Sequence, residues 1–225
     1  MQRFFDIFFS LLAIVGLSPI FLVIVLLLRI TGEGEVFYKQ KRIGRQGKDF
    51  YIYKFATMLK NSELLGGTIT LKNDPRVLPI GGMLRKSKLN ELPQLINILK
   101  GDMSIVGPRP LVPEGELFYS IEASAKIRSI QPGLTGIGSL VLRDEESYYS
   151  HRDDAASFYK LVISPYKEKL EVWYIENRSL ILYFKIIFFT IIVVVNKNFD
   201  MFRFLNLIPR IPQEISSSRD DSIKK

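Results

Sequence analysis

The chain has 225 residues, one histidine, no cysteine and a formal net charge of +8, and 47% of its residues are hydrophobic. This length suits one domain with attachments, large enough to bury a core of its own. The missing cysteines exclude a thiol nucleophile, a disulfide framework and a Cys/His zinc site. Positive charge combined with long apolar segments favours a membrane surface over nucleic acid, so no nucleic-acid partner is expected.

The first predicted element is an uncharged apolar segment over residues 7–28. As a straight helix it would reach roughly 33 Å, which is enough to cross a bilayer core. Ser18 and Pro19 interrupt it near the middle, where proline removes a backbone donor and bends the helix. Because Arg3 and Arg29 place a cation at each end, we favour a re-entrant anchor that enters and leaves through one membrane face over a kinked span.

A hairpin and a helix are predicted next. Residues 36–38 and 50–53 read as short strands, and the turn-like segment 44–47 between them indicates a β-hairpin. Residues 88–99 place apolar side chains at helical spacing, with Pro93 tolerated in the first turn. Gly101 then ends this helix.

The last third of the chain is predicted to be largely helical. Residues 155–175 form an amphipathic helix that is broken or begun again at Ser164-Pro165. Residues 179–195 are apolar but short and contain Lys185, which predicts an interfacial or core-facing helix in place of a transmembrane span. The polar, charged residues from Gln213 onward predict disorder.

The sequence thus predicts a helix-rich α/β fold of the α+β kind in three parts. Residues 1–30 form the membrane anchor, residues 31–200 form one globular domain with interfacial helices, and residues 201–225 form a polar, disordered tail. The many Lys and Arg residues after the anchor place the globular domain in the cytoplasm.

Residues of chemical interest are concentrated between positions 73 and 111. The segment contains several cations that could neutralise a diphosphate, namely Arg76, Arg85, Lys86, Lys88 and Arg109. Glu91 and Asp102 are oxygen donors of the kind that Mg²⁺ takes. Arg109 stands between Pro108 and Pro110, which hold its backbone and reduce the entropy lost on gripping an anion. A rigid surface loop beside a solvated basic face explains the same spacing, and both interpretations stay open.

An ordered set of motifs resembles the monotopic phosphoglycosyl transferases of bacterial sugar transferase type. The resemblance runs from about Arg3 to about Val195. The motifs are Arg3-Phe4-Phe5-Asp6, Ser18-Pro19, residues 37–44, residues 53–58, Asp74-Pro75-Arg76-Val77, Gly101-Asp102-Met103-Ser104, Gly107-Pro108-Arg109-Pro110 and Pro132-Gly133-Leu134-Thr135-Gly136.

The resemblance implies a re-entrant membrane helix, a small cytoplasmic α/β catalytic domain at the bacterial inner membrane, and Mg²⁺ as cofactor. It implies a UDP-sugar as donor and undecaprenyl (polyprenyl) phosphate as acceptor, in the step that initiates glycan assembly. In a ping-pong reaction, a carboxylate attacks the sugar-bearing phosphorus, UMP leaves, and the lipid phosphate takes the phosphosugar. Lys54 is implied as a phosphate contact. The oligomeric state is left open, with a homo-oligomer among the options.

One departure affects the chemistry. The family's Asp-Glu dyad reads Asn90-Glu91 here, and a neutral amide oxygen is a far poorer nucleophile than a carboxylate. Three accounts remain: Glu91 or a carboxylate elsewhere attacks, the transfer is direct with the site aligning donor and acceptor on Mg²⁺, or the site is inactive.

Two further departures concern acidic residues. Asp144 and Glu145 stand in a segment, 143–146, that differs from the family pattern. We hypothesise that this acidic cluster replaces the missing charge in metal binding or attack; an exposed turn with ordinary acids is the alternative. Glu171 stands where the family frequently has Asp, so a carboxylate is kept with a longer reach.

Two other functions remain as alternatives. A basic, membrane-tethered binding protein explains the charge and the anchor, but not the co-occurrence of these motifs. A catalytically degenerate relative explains Asn90. Release of UMP from UDP-sugars separates the enzyme from both.

Overall fold

The computed structural model describes residues 1–31, 33–62, 65, 74–143, 145–149, 152–196, 199 and 208–216. These residues form a helix-rich mixture of helices and short strands, as predicted. They separate into two compact units. The first unit comprises Met1–Arg42 and Asp49–Ile105, and the second comprises Ile43–Lys48 and the chain from Val106 onward. The sequence predicted one domain over 31–200, and the structure divides that range.

The apolar amino terminus forms two helices, α1 (Gln2–Gly16) and α2 (Ser18–Thr31), whose axes differ by 61°. Pro19 supplies no backbone donor at the break, and the Ser18 hydroxyl donates to the Val15 carbonyl at 2.7 Å. The predicted break is confirmed, and the Ser18 hydroxyl satisfies the carbonyl that Pro19, four residues later, leaves without its helical donor. Among the described residues no single helix is long and apolar enough to cross a membrane, but this bent pair meets the requirement jointly.

The predicted hairpin is confirmed with longer strands. Strand β1 (Phe37–Ile43) pairs with β2 (Asp49–Phe55), and a 3₁₀ turn at Arg45–Gly47 lies between them in the chain. Ile52 and Phe55 of β2 are both buried. Because three positions separate them, strand alternation places them on opposite faces of the hairpin.

The core of the first unit joins the anchor to the hairpin. Ile24 and Leu28 of α2 pack with Phe55 of β2 and with Leu84 of α3 (Pro79–Lys86). Four apolar side chains drawn from three separate chain segments thus bury one another. Helix α2 is therefore part of a folded unit as well as a candidate membrane element.

The helix predicted over residues 88–99 is divided. Lys88 adopts a left-handed backbone conformation with φ of 61°, a 3₁₀ turn follows at Leu89–Glu91, and α4 runs over Gln94–Lys100. Pro93 lies at the N-cap of α4, and Gly101 ends it with φ of 93°, as its lack of a Cβ allows.

Polar side chains of α1 fasten it to the segment that follows α4. Arg3 donates to the Leu99 carbonyl at 2.9 Å, at the carbonyl end of α4. The buried Asp6 carboxylate accepts from the Ser104 hydroxyl and from the Ile105 N–H, both at 2.9 Å. Ser104 begins strand β3 (Ser104–Val106).

The second unit is mainly helical. In chain order its elements are α5 (Pro113–Glu116), α6 (Ile121–Arg128), β4 (Gly133–Thr135), α7 (Ile137–Val141), α8 (Ala155–Phe158), α9 (Ser164–Glu176) and α10 (Leu180–Val195). A π-helical turn at Tyr159–Ile163 separates α8 from α9, so the predicted new start at Ser164 is confirmed.

Helix α10 is apolar on two faces. Its buried face carries Leu182, Tyr183, Ile186, Phe189 and Val193, and its exposed face carries Ile181, Phe184, Phe188, Ile191 and Val194. The helix therefore contributes to the core, as one of the two predicted alternatives stated, and keeps an apolar surface outside it.

The chain beyond α10 differs from the predicted tail. Ile208 and Ile215 are buried, and residues 213–216 form a helical turn. Burial of Ile215 stabilises order at 213–216 although the sequence from Gln213 onward is polar. The remainder of the predicted tail, residues 201–207 and 217–225, lies outside the described residues.

Candidate active site

In the first unit, Lys54 and Glu91 face each other. Lys54 lies on β2, Glu91 lies on the 3₁₀ turn before α4, and Lys54 Nζ is 3.8 Å from Glu91 Oε1. Their side chains are only 16% and 14% exposed. This separation is too long for a direct hydrogen bond, so the two groups interact as a partly buried ion pair. The structure thus brings together two predicted site residues that are 37 positions apart.

Asn90 is buried immediately beside Glu91 in sequence. It is 7% exposed, and its Oδ1 atom has no hydrogen-bond partner among the residues that the structure describes. A buried carbonyl oxygen without a donor is costly, roughly 1–3 kcal/mol. Such an atom is typical of a position that receives a ligand, a water or an ion.

Arg76, predicted as a phosphate contact, has a structural partner. Its guanidinium donates to the Asp74 carboxylate through Nε at 2.9 Å and Nη2 at 2.6 Å, and both residues are buried. Nη1 also donates to the Ser62 carbonyl at 2.8 Å. This bidentate geometry fixes the loop around Asp74, so an incoming phosphate would have to compete with it.

Asp102, predicted as a possible oxygen donor, supports the strand that carries Lys54. Asn97 of α4 donates to Asp102 Oδ2 at 3.2 Å and to the Tyr51 carbonyl at 2.8 Å, and it accepts from the Tyr53 N–H at 3.0 Å. Asn97 was not among the predicted site residues, because it lies away from the apolar positions 92, 95, 96 and 99 of the predicted helix and no local pattern marked it as buried.

The remaining predicted cations of this unit differ in burial. Arg85 is half-buried at the end of α3, whereas Lys86 and Lys88 are exposed. Arg85 is therefore the least solvated of these three cations.

In the second unit, the turn that carries Arg109 is packed backbone to backbone against β4. Gly107 donates to the Thr135 carbonyl at 3.0 Å, and Gly133 donates to the Pro108 carbonyl at 2.8 Å. A Cβ atom on Gly107 would lie 2.6 Å from the Gln131 carbonyl oxygen, and one on Gly133 would lie 2.1 Å from the Gly107 nitrogen. Both motifs therefore need glycine for this close approach.

Arg109 borders an open cleft of the second unit, with about 290 Å³ of empty space that is continuous with solvent. Its walls are mainly apolar and include Pro108, Pro110, Ile43, Leu111, Ile127 and Ile130. Two charged side chains at the cleft, Glu116 and Arg128, are paired with each other at 2.6 Å. Arg109 is thus half-buried at the edge of a shallow cleft that opens to solvent.

Glu145 forms a buried ion pair in the second unit. Lys167 Nζ lies 2.9 Å from Glu145 Oε2. Burial is the largest single influence on Lys167 and lowers its pKa, but the charge and hydrogen bond of Glu145, together with Tyr159, outweigh it, so the pKa is raised. Lys167 therefore balances the charge of this carboxylate. Neither the predicted metal-binding cluster nor the alternative of an exposed turn included this ion pair. Asp144 lies outside the described residues.

Glu171 of α9 is enclosed in the same unit. It is 2% exposed, and Oε1 accepts from the Arg109 N–H at 3.4 Å. Burial raises the pKa of this carboxyl to about 7, against the lowering effects of the Arg109 N–H and of the charges of Lys167 and Arg109. The predicted carboxylate position is thus a group that titrates near neutrality.

Metal ligands are sparse in the described part of the chain, which contains no group of three or more His, Asp or Glu side chains able to hold an ion. Mg²⁺, however, usually takes one or two protein oxygens together with substrate phosphates and water. The Glu91 carboxylate and the Asn90 Oδ1 atom provide oxygens of that kind on adjacent residues.

With this geometry established, comparison with known proteins identifies the family. A model described as Bacterial sugar transferase matches residues 1–197. The chain belongs to the bacterial sugar transferase family. The predicted family is thereby confirmed, and so is the predicted enzyme class, a phosphoglycosyl transferase.

Individual relatives of this sugar transferase are about a third or more identical to it over the aligned regions. Exopolysaccharide production protein ExoY of Sinorhizobium fredii is 40% identical over 65% of this chain and 71% of its own length. The uncharacterized sugar transferase EpsL of Bacillus subtilis is 35% identical over 85% of both chains. The undecaprenyl-phosphate galactose phosphotransferase of Salmonella typhimurium is 34% identical over 88% of this chain but only 41% of its own length.

Proposed function

We propose that this sugar transferase moves a phosphosugar from a UDP-sugar to undecaprenyl phosphate and releases UMP. An oxygen of the lipid phosphate becomes bonded to the sugar-bearing phosphorus, and the bond from that phosphorus to UMP breaks. Relatives named for undecaprenyl-phosphate act with galactose, N-acetylgalactosamine or glucose, which supports the reaction while leaving the sugar open.

The observation that carries the proposal is the first unit's cluster of Glu91, Asn90 and Lys54. It combines a partly buried carboxylate, a buried amide oxygen and a cation on three neighbouring positions of the fold. We propose that Glu91 and Asn90 hold Mg²⁺, and that Lys54 and Arg85 contact the donor phosphates. When bound, Mg²⁺ would neutralise diphosphate charge and make the phosphorus a better electrophile.

Arg109 is proposed as a further phosphate contact. Its backbone is restricted by Pro108 and Pro110, and its position beside solvent-open space leaves it accessible to an anion. Arg76 is assigned a structural role with Asp74, because its fork is already bidentate to that carboxylate.

Because Asn90 is neutral, two active courses compete. Either Glu91 attacks the donor and forms a covalent intermediate, or the lipid phosphate attacks directly. Only the first course allows labelled UMP to exchange into UDP-sugar when the lipid acceptor is absent. Measuring that exchange with and without undecaprenyl phosphate therefore separates them.

We also propose that α1 and α2 form a re-entrant anchor on the cytoplasmic face of the inner membrane. Arg3 and Asp6, near the start of α1, contact residues 99–105 of the first unit, and Leu28, near the end of α2, is buried in that same unit. A span would place its two ends on opposite sides of the bilayer, whereas here both ends contact one folded unit.

The test is UMP release by the full-length protein in bilayer discs with Mg²⁺, undecaprenyl phosphate and a panel of UDP-sugars. We expect Glu91→Gln and Arg109→Ala to lower the rate about 100-fold, as loss of an electrostatic stabiliser does. The matched controls are Glu176→Gln and Arg210→Ala, at exposed positions. Absence of UMP release from every donor would favour the degenerate relative, and full activity of Glu91→Gln would remove Glu91 from the site.

A further inference from the structure

The turn that carries Arg109 is held by α9 as well as by β4. Tyr174 of α9 donates to the Val106 carbonyl at 3.3 Å, and Glu171, one turn earlier on the helix, accepts from the Arg109 N–H at 3.4 Å. Because prolines flank Arg109, its N–H is the only backbone donor from residue 108 to residue 110. The hydrogen bond from the Arg109 N–H to Glu171 therefore joins residues 108–110 to α9.

The surroundings of Glu171 are closed and nearly free of other donors. Its Oε2 atom is buried without a hydrogen-bond partner in the described ranges. A Cβ on Gly138 of α7 would lie 2.5 Å from Oε1, so α7 approaches the carboxyl through a glycine. Lys167 is engaged with Glu145 at 2.9 Å. The Arg109 backbone thus offers this carboxyl a hydrogen bond that the other packed elements do not.

We propose that Glu171 is a positioning residue that fixes the backbone of Arg109, and that ionisation of its carboxyl tightens this hold. The link to catalysis rests on the proposed function, in which Arg109 contacts the donor phosphates. The hold on the backbone itself does not depend on that function.

The chemistry of the contact gives the direction of the effect. A distance of 3.4 Å is long for an N–H···O bond, and a carboxylate accepts such a bond about twice as strongly as a neutral acid does. Burial raises the pKa of Glu171 to about 7, so its ionisation falls near neutrality. The hold therefore strengthens as pH rises through that range.

The charged and titratable groups that face Glu171 are Arg109, Lys167 and Tyr119. The two cations favour the carboxylate, and Lys167 keeps its proton because Glu145 raises its pKa. Burial raises the pKa of Tyr119 well above its ordinary value, so this phenol stays neutral. Glu171 is thus the group of this cluster that changes charge near neutral pH.

The first test follows the Arg109 amide directly by NMR. The full-length chain, labelled with nitrogen-15 arginine in bilayer discs, is titrated from about pH 5.5 to about pH 8.5. Arg109→Lys assigns the signal. We expect the Arg109 amide to shift with a midpoint near neutrality, the shift to vanish in Glu171→Gln, and Glu176→Gln on the same helix to behave as wild type. A wild-type amide that does not respond overturns the inference without any variant, as does a titration that persists in Glu171→Gln.

The second test asks whether the hold affects the donor. Affinity for UDP-galactose, UDP-glucose and UDP-N-acetylgalactosamine is measured at about pH 6 and about pH 8, a range in which their diphosphates do not titrate. We expect roughly five-fold tighter binding at the higher pH in wild type and less than two-fold in Glu171→Gln, since a charge-assisted bond adds about 1 kcal/mol. Rescue of the pH response by Glu171→Asp supports a carboxylate role.

The outcomes separate the inference from the proposed function. If the Arg109 amide titrates through Glu171 but no UDP-sugar binds, the positioning role stands and the proposed function fails. If a UDP-sugar binds equally at both pH values while the amide titrates, the hold on the backbone stands and its effect on the donor is overturned.

Discussion

Asn90 differs from the acid expected at its position by the loss of a charge, and this change can be reversed experimentally. In Asn90→Asp, a second carboxylate stands next to Glu91 at a site that is 7% exposed. Without metal, we expect the free energy of unfolding to fall by roughly 1–3 kcal/mol, because a buried like charge is added. Mg²⁺ should close this gap, and urea unfolding with and without Mg²⁺ measures it.

The control for that experiment adds the same charge elsewhere. Asn177 is exposed at the end of α9, so Asn177→Asp should show no such dependence on Mg²⁺. An equal response of Asn90→Asp and Asn177→Asp to Mg²⁺ would mean that positions 90 and 91 do not hold the ion.

Glu171 makes stability depend on pH in a direction opposite to that of a salt-bridged acid. Its pKa is about 7 in the folded chain against an ordinary 4.5, so the folded state binds the extra proton between these values. Stability from this group is complete below pH 4.5 and is lost as pH rises to about 7, by at most about 3 kcal/mol.

Glu171→Gln should remove this slope, and urea midpoints measured across the range check it. Glu176→Gln, an exposed change on the same helix, serves as the reference. Parallel curves for wild type and Glu171→Gln would contradict the assignment.

At the residue scale, the sequence identified candidate site residues, but it did not identify their hydrogen-bond and ion-pair partners. Gly-Pro-Arg-Pro and Asn-Glu marked Arg109 and Glu91 because prolines and charges stand out locally. The pairing of Lys167 with Glu145 joins segments 22 positions apart. Arg76 with Asp74 and Asn97 with Asp102 pair locally, but only in the turn geometry that the folded backbone gives them. A single sequence does not specify those pairings.

At the scale of elements, local signals were sufficient where they were strong. The hairpin and the restart at Ser164 follow from turn residues and proline, whose backbone preferences are intrinsic. The division of the helix predicted over 88–99 follows from a left-handed Lys88, which no propensity rule predicts for lysine. The ordered turn at 213–216 depends on the burial of Ile215, which is a tertiary contact.

The fastening of α1 gives a prediction at this scale. Asp6→Ala removes the acceptor of the Ser104 hydroxyl and the Ile105 N–H, which are both 2.9 Å away in a buried site. We expect a loss of about 2–4 kcal/mol in the free energy of unfolding. Asp6→Asn keeps one acceptor oxygen and should lose about half as much. Denaturant midpoints in detergent provide the measurement, and equal midpoints for the three chains would show that the fastening does not stabilise the first unit.

At the scale of the whole molecule, composition indicated a membrane partner and the structure adds where the apolar surface lies. Exposed apolar side chains line the bent pair α1 and α2, and others line one face of α10. The overall charge of +8 complements anionic lipid, but charge alone did not reveal which helices keep an apolar face. Which helix faces stay exposed depends on which faces pack into the core.

The re-entrant anchor makes a prediction about sidedness that the absence of cysteine makes easy to test. One cysteine is placed directly before Met1, and another replaces the exposed Lys169 of α9, in separate chains. The start of α1 contacts Leu99 and Ser104, which belong to the folded unit that also buries Leu28 of α2. We therefore expect a membrane-impermeant maleimide to label both cysteines in inside-out vesicles. Neither cysteine should be labelled in sealed right-side-out cells. Labelling of the amino-terminal cysteine from the outside, with Lys169→Cys protected, would establish a kinked span and separate the anchor's start from the first unit.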